Sequence, residues 1–556
     1  MMRMSLRRRA SAAAIATGFV LSLPALAHAT GITEFPDNGS EQGGRGGAWV
    51  ARASDPLAVF YNPAGLAGQP TRLIVQSNFN TEKTCFTRLK AANDPTLDAD
   101  GTKPGQYYPQ ICSANQTAID PQIAMTYRLT SRIGIGFAPL LAPSGAVSNG
   151  SAPQFIQSTS ASGAKVYEPG PSRYLLTSAN LLVLNPTLGI GAEVMDRLRL
   201  GASFTWGIAS LKFTNGIAAT ANQVAAGGTY VPGTEVQAVA NVHDYFVPGF
   251  NLGAIYSPSD DFDIAAWYKW SDAIKAEGDI QTSTSYYTAA VAQGKTGAVS
   301  TGNTALANCG VPGPSTTCGS GNNVHLQVAQ PMEAKIGFRY HTRRDDVPYD
   351  EHVRDPMAQD VFDIEADLTW ANDSAFSNLQ VRLPGTATGD GVLPINGIPG
   401  TSAPPNDDIP HGFKDVYGIR IGGDYNVLRD QLALRAGGFL QSNGQNPQDQ
   451  NVDFAGSMNG GFALGATYRL HLSKEKANAI EFSLGYEHVF YMDESYTGSN
   501  GIQAIAGTAC PPNTTENPAT NTCSNGVTRY RTAWDINLGT ITNSINVLNV
   551  GLGYKF

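Results

Sequence analysis

Charge is scarce in this chain. Of its 556 residues only 15% are Asp, Glu, Lys or Arg, 37 basic against 46 acidic, which leaves a net charge of −9. A chain of that sign does not carry the basic surface that neutralises phosphates, so its composition argues against a nucleic-acid partner. With 42% hydrophobic residues it is no disordered polyelectrolyte either. Beyond residue 29 no run approaches the ~20 consecutive apolar residues of a membrane-crossing helix, which excludes a helical membrane protein. The sequence has no Cys-x-x-Cys and no His cluster beside its cysteines, so neither a metal nor another cofactor is expected. It also lacks a Gly-x-Ser-x-Gly elbow and a His-Glu-x-x-His helix. The reading is therefore not an enzyme. A Ser/His pair on a barrel wall is the catalytic alternative left open, because triads are not local in sequence.

What the chain has is glycine, 60 residues, with 33 prolines, a balance that favours strands and loops. At the start, Arg3, Arg7, Arg8 and Arg9 precede an apolar stretch from Ala10 to Leu26, and Ala27-His28-Ala29 supplies small residues for cleavage. Residues 1–29 read as a secretory signal peptide. In an exported protein six cysteines read as disulfides. Proximity in sequence suggests Cys85 with Cys112, Cys309 with Cys318 and Cys510 with Cys523, although spacing alone fixes no connectivity.

The strongest signal is period-two alternation over stretches of about ten residues, the length of a tilted membrane-spanning strand. Met332, Ala334, Ile336, Phe338 and Tyr340 share one face, while Glu333, Lys335, Gly337, Arg339 and His341 share the other. Phe362, Ile364, Ala366, Leu368 and Trp370 likewise oppose Asp363, Glu365, Asp367 and Thr369. Strands are expected near 71–81, 121–129, 132–139, 180–195, 198–209, 246–257, 261–270, 326–341, 360–371, 414–426, 431–441, 461–470, 479–490 and 546–556. Their even number suits a closed transmembrane antiparallel β-barrel, an all-β fold of fourteen strands. Short connectors alternate with long ones, and all the cysteines fall in the long ones, which reads as the outer side. The connector from His341 to Gln359 breaks the rule, being long on the inner side. The chain ends on Val550, Leu552, Tyr554 and Phe556 along one strand face.

Residues 30–70 precede the first strand and are rich in small residues, with Gly43-Gly44-Arg45-Gly46-Gly47 near their middle. No Lys-Ser/Thr follows these glycines, so they are not a phosphate loop. A compact segment of this kind suits the inside of a barrel too wide for its own side chains to fill. The stretch Arg52-Ala-Ser-Asp55-Pro-Leu-Ala-Val-Phe-Tyr-Asn62-Pro63-Ala64-Gly-Leu66 resembles the plug motif of the FadL-type family of outer-membrane long-chain fatty-acid transporters. Asn185 to Gly189, Gly249 to Gly253, Asp367 to Trp370 and the hairpin from Tyr417 to Gly437 resemble further landmarks in the family's order, across the mature chain. The resemblance implies residues 30–70 as an N-terminal plug and 71–556 as an outer-membrane barrel. It implies passive uptake of long-chain fatty acids or related hydrophobic compounds, with a sideways exit into the membrane. An aromatic-hydrocarbon importer is the alternative within transport, and a surface-protein binding or secretion partner the alternative outside it. Partners are then the hydrophobic ligand and outer-membrane lipid, with the protein a monomer.

Arg52, Asp55, Asn62, Pro63 and Ala64 are the expected plug and gating residues. Gly134, Gly136 and Pro139 mark the third strand, where proline removes a ladder donor and a gap in pairing is expected from 134 to 139. A carboxylate ligand needs a cation. The candidates are Arg173 and Lys165 in an outer loop and, by alternation, Lys335, Arg339, Arg420 and Arg435 in the lumen. The competing reading pairs the lumen cations with wall carboxylates to rivet the plug. Trp206, Trp267, Trp270 and Trp370 are expected in the membrane-interface girdle, and His488 at the lipid-facing rim.

Overall fold

In the computed structural model the described residues are 39–94, 102–113, 117–142, 155–159, 165–175, 178–218, 236–283, 323–344, 352–382, 393–394, 402–403, 406–452, 454, 456–472, 478–505, 516–517, 522–523 and 531–556. The signal-peptide expectation, Cys309, Cys318 and Cys510 lie outside them.

Fourteen antiparallel staves close into one barrel. They are β1 (Arg72–Arg88), β2 (Thr117–Arg128), β3 (Ile133–Leu141), β4 (Ser178–Leu184 continued by Thr187–Met195), β5 (Leu198–Ile217), β6 (Val236–Ser259) and β7 (Phe262–Ser271 continued by Ile274–Ser283). Then follow β8 (Asn323–Val328 continued by Glu333–Arg343), β9 (Asp360–Ala371 continued by Asn378–Arg382), β10 (Asn406–Pro410 continued by Val416–Leu428), β11 (Leu432–Gln441), β12 (Asn459–His471), β13 (Ala479–Tyr491) and β14 (Gly539–Lys555). Each stave pairs with its sequence neighbours, and β14 closes on β1 in an unbroken register from Arg72↔Lys555 to Arg88↔Gly539. Closure pairs the first and last staves, which a sandwich would leave as free edges.

Alternation explains the wall. Phe137, Leu188, Leu368 and Leu484 point outward and are exposed, while Asp363, Glu365, Arg420 and Arg435 point inward and are buried. That polarity, apolar outside and charged inside, is inverted relative to a soluble barrel. On β5 and β6 it switches within one strand. Leu200, Phe204 and Trp206 face outward below a bulge between Asp244 and Val247. Above the bulge Ala209, Leu211, Ala238 and Val242 face inward and are buried, and Lys212 faces out. The extension of β7 repeats this, with Ile274 and Ala276 buried and Lys275 and Glu277 exposed.

The staves therefore run past the lengths expected from sequence, because alternation with the opposite polarity reads as loop when apolar-outward is the template. Cys85 is a consequence: it lies within β1 and bonds to Cys112 of the short strand Ile111–Cys112, so that disulfide ties two paired strands where a loop was expected. Trp267 is a second correction. It is 3% exposed and donates its indole N–H to the Phe60 carbonyl, 3.0 Å, inside the barrel, because position 267 shares the inward parity of Asp263, Ala265 and Lys269. Trp206 does face outward, donating to the Tyr245 carbonyl at 2.8 Å and packing edge-on against Phe246.

Residues 39–70 lie within this ring. They form α1 (Ser40–Gly43), α2 (Ala58–Tyr61) and a 3-10 turn (Pro63–Leu66). Nearly every residue of the segment is buried, although its helices are too short to be stable alone. The order comes from the wall.

Candidate functional site

The wall grips the segment through one stripe on β9. Alternation sends Asp363, Glu365 and Asp367 to the lumen, where they meet the backbone and guanidinium groups of residues 45–52. Asp367 accepts from the Trp49 and Val50 N–H at 2.9 and 3.1 Å, and Glu365 accepts from Ala51 and Arg52 N–H at 2.6 and 3.1 Å. Arg45, fully buried, reaches Asp363 at 2.7 Å, Glu365 at 3.3 Å and Asp424 of β10 at 2.6 Å. Arg52 pairs with Asp363, with Asp424 at 3.1 Å and with Glu41 at 2.6 Å. Carboxylates buried this deeply require such partners. Across this contact Arg45 and Arg52 of the segment meet Asp363, Glu365 and Asp424 of the wall.

Arg45 was not a candidate from sequence. The signal was present: a lone arginine between two glycine pairs has room for its backbone to touch the wall. A Cβ added at Gly422 or Gly437 would meet the Arg45 carbonyl at 2.2 or 1.9 Å.

A second glycine pad receives the other end of the segment. Asn62 donates to the Val50 carbonyl at 2.7 Å and accepts from Ala64 N–H at 3.2 Å, capping the 3-10 turn that begins at Pro63. That turn lies on β3 to β6. A Cβ at Gly191 or Gly201 would come within 2.4 Å of Pro63 backbone, and one at Gly253 within 1.9 Å of the Asn62 side chain. At Gly134 it would meet the Leu66 carbonyl at 2.0 Å, and at Gly136 the side chains of Leu66 and Val59.

Those last two glycines correct the expectation of a gap from 134 to 139. The ladder is unbroken at both: Gly134 pairs with Arg128 and Gly191, and Gly136 with Thr126 and Gly189. They are glycines because the segment touches them. The irregularity sits at Pro139. There the β2–β3 register shifts between Ile123 and Met125, and the β3–β4 ladder ends at Ala138↔Thr187. Among the described residues the upper part of β4 above that rung pairs only with β5, and a single backbone bond from Asn185 N–H to the Leu141 carbonyl, 2.7 Å, links it to β3. Asn185-Pro186 interrupts β4 at the same level. Two prolines therefore interrupt adjacent staves.

The candidate carboxylate contacts do not converge on one place. Arg339 pairs with Asp263 at 3.1 Å, Asp363 at 2.9 Å and Asp360; Arg435 meets Asp424 at 3.3 Å and donates to Thr467 at 2.9 Å. Arg420 donates to the Gly46 carbonyl at 3.2 Å and lies over the Phe439 ring. Lys335 lies over the Trp267 ring, 5.6 Å away. Arg173 is buried in the outer loops, over Tyr174 and donating to the Gly170 carbonyl at 3.3 Å. Lys165 lies on a separate short hairpin, Phe155–Thr159 with Lys165–Pro169.

Asp55 titrates unusually. Burial, then the charge of Glu41, pushes its carboxyl up to about 8. Its oxygen accepts from Leu57 N–H at 2.7 Å. An acid whose folded pKa is raised holds its proton in the folded state where the unfolded chain has lost it, so stability falls as pH rises through that window. Thermal unfolding between about pH 5 and 8 is expected to show this decline, and Asp55→Asn to flatten it. An unchanged slope in the variant would remove Asp55 as its source.

Two of the four buried apolar clusters among the described residues adjoin the N-terminal segment or fill the barrel above it. One fills the upper barrel from β4 to β10 and includes Leu211, Val242, Ile274, Leu326, Leu379 and Phe413. At its β9–β10 side, Phe376, His411 and Phe413 stack within 5.8 Å of one another, and Phe454 meets Phe376 edge-on. The second joins the segment's Val59, Phe60 and Leu66 to Ala138 and Leu141, beside the end of the β3–β4 ladder.

No protein-family model and no curated protein matches the sequence. Among solved structures, a Pseudomonas aeruginosa FadL homologue aligns over 95% of this chain and 100% of its own at 16% identity, with a TM-score of 0.60. The chain shares the fold of that FadL homologue. The Ralstonia pickettii toluene transporter TbuX aligns over 94% of this chain and 99% of its own at 14% identity and TM-score 0.51. The CymD monoaromatic hydrocarbon channel aligns over the same shares at 14% and 0.50. At these identities the likeness concerns the fold. Within this shared fold the glycine pads, the β9 carboxylate stripe and the β3–β4 discontinuity are features of this chain's own residues.

Proposed function

We propose that this barrel carries out passive uptake of hydrophobic small molecules across the bacterial outer membrane, with long-chain fatty acids or related compounds as ligands. The observation that carries the reading is the pair of apolar clusters inside the barrel, one around Val242 and Leu326 in its upper part and one that joins Val59 and Leu66 of the N-terminal segment to Leu141, where the β3–β4 ladder stops. Residues 30–70 act as the plug, with Arg52 and Asp55 in its anchor and Asn62, Pro63 and Ala64 in the turn beside the exit. A ligand captured above would pass the plug's apolar face and leave sideways, where the wall has no ladder to break. The aromatic-hydrocarbon reading is favoured by one specific observation, the stacked rings of Phe376, His411 and Phe413. The solved transporters of similar fold named for toluene and monoaromatic hydrocarbons agree with that class of ligand.

A diazirine-bearing fatty acid, photoactivated on outer membranes containing the protein, tests the route. Labels are expected on lumen-facing residues such as Leu211 and Val242 and around Leu141. Competition by toluene would favour the aromatic class. Labels confined to lipid-facing residues such as Leu188 and Leu200 would sink the proposal.

A further inference from the structure

The connector between β8 and β9 is the one long inner connector, and residues 352–359 of it do not stay at the rim. They include α3 (Pro356–Gln359). A β-hairpin needs only two to five residues, as the other inner turns at 196–197 and 429–431 bear out. The extra length is spent on contacts far around the ring.

On one side the His352 carbonyl accepts from Arg128 of β2 at 3.2 Å, and its ring meets Glu193 of β4 at 3.0 Å. On the other, Asp355 receives two bonds from Arg469 of β12, both 2.9 Å, and one from Lys555 of β14 at 2.5 Å. In a ring closed by β14 on β1, β2 and β14 lie towards the far side of the barrel from β8 and β9, and β4 and β12 about a quarter turn to either side. The strap therefore crosses the inner mouth.

It also holds the N-terminal segment from below. Arg354 is buried; its guanidinium donates to the Ala51 and Arg52 carbonyls at 2.8 and 3.0 Å, and its N–H to the Gly68 carbonyl at 2.9 Å. Gly68 has φ +82 and a Cβ there would meet the His352 carbonyl at 2.7 Å, so the approach requires glycine. Above Asp355 and Met357 lies a charged cavity of about 40 Å³, shared with Glu41, Arg52, Arg435 and Glu481. That volume holds a few waters. The strap is its floor.

We propose that residues 352–359 are an axial seal, closing the inner mouth to ions and water and clamping the N-terminal segment through Arg354 and Asp355. Ligand release would then be sideways by construction, since the axial way stays shut while the wall opens. The seal itself concerns ions and holds whether or not the uptake reading does.

Potassium chloride conductance of the full-length protein in planar bilayers is the test. The wild type is expected to stay closed. The Arg354→Ala/Asp355→Asn double variant, with barrel formation checked by heat-modifiable migration, is expected to raise the frequency of conducting events at least about tenfold, the population change given by about 1.4 kcal/mol. A correctly folded variant with wild-type conductance would overturn the seal. A measurement on the unaltered protein covers a variant that does not fold: trypsin added from the inner side should not cut at Arg354 while the barrel is closed. Ready cleavage there without a rise in conductance would also overturn it.

Discussion

Arg45→Ala should release the N-terminal segment from the wall while leaving the barrel closed. The substitution leaves Asp363, Glu365 and Asp424 facing one another with Arg52, Arg339 and Arg435 as the remaining nearby cations. Removing one partner from a buried, hydrogen-bonded ion cluster costs about 3–5 kcal/mol, because the cluster is left with an excess of negative charge that cannot rehydrate. That exceeds what the short helices and turn of the segment could recover by themselves. The closed ladder from β1 to β14 does not involve Arg45, so heat-modifiable migration should persist. Limited proteolysis in detergent reads the difference. Residues 45–66 should become cleavable in the variant at protease levels that leave the wild type intact, and equal protection in both would mean that the backbone bonds to Glu365 and Asp367 suffice.

Gly201→Val should displace the other end of the segment. The first side-chain carbon would lie 2.2 Å from the Pro63 carbonyl carbon and 2.3 Å from Ala64 N, both backbone atoms that cannot rotate away. Overpacking of a filled interior costs about 1–3 kcal/mol. Here the turn has to lift off β4 to β6, which disturbs the Asn62 cap as well. The neighbouring Ala202 faces outward, so Ala202→Val serves as the control and should stay within about 0.5 kcal/mol. Hydrogen exchange over residues 62–67 should quicken in the glycine variant alone. If both variants exchange alike, the pad is not what holds the turn.

Much of the barrel was legible because a period-two pattern with lipid on one side leaves a mark on every stave, and the β9 stripe of Asp363, Glu365 and Asp367 was assigned to the lumen correctly. What failed did so for physical reasons. Above the Asp244–Val247 bulge the apolar residues of β5 and β6 face inward and Lys212 faces out, so the alternation has the opposite polarity and reads as loop. Trp267 was placed in a girdle on the strength of its residue type, against its own strand parity. Gly134 and Gly136 were read as a bend, whereas glycine on a barrel wall equally marks close approach of another backbone, which only tertiary structure reveals. Arg45 carries a local mark only in its flanking glycine pairs, and the Arg354–Asp355 pair carries none. Their partners are far away in sequence, and nothing else local distinguishes a buried arginine from a solvated one.

The central claim is passage of a hydrophobic molecule beside the plug, and uptake measures it most directly. Labelled oleate is supplied to cells whose outer membrane lacks its own transporter for such compounds, carrying either this protein or its Asn62→Ala variant, with insertion checked by heat-modifiable migration. The account predicts that the wild type restores uptake and that the variant, without the cap on the Pro63–Leu66 turn, loses most of it. A correctly inserted wild-type barrel that takes up neither oleate nor labelled toluene would contradict it.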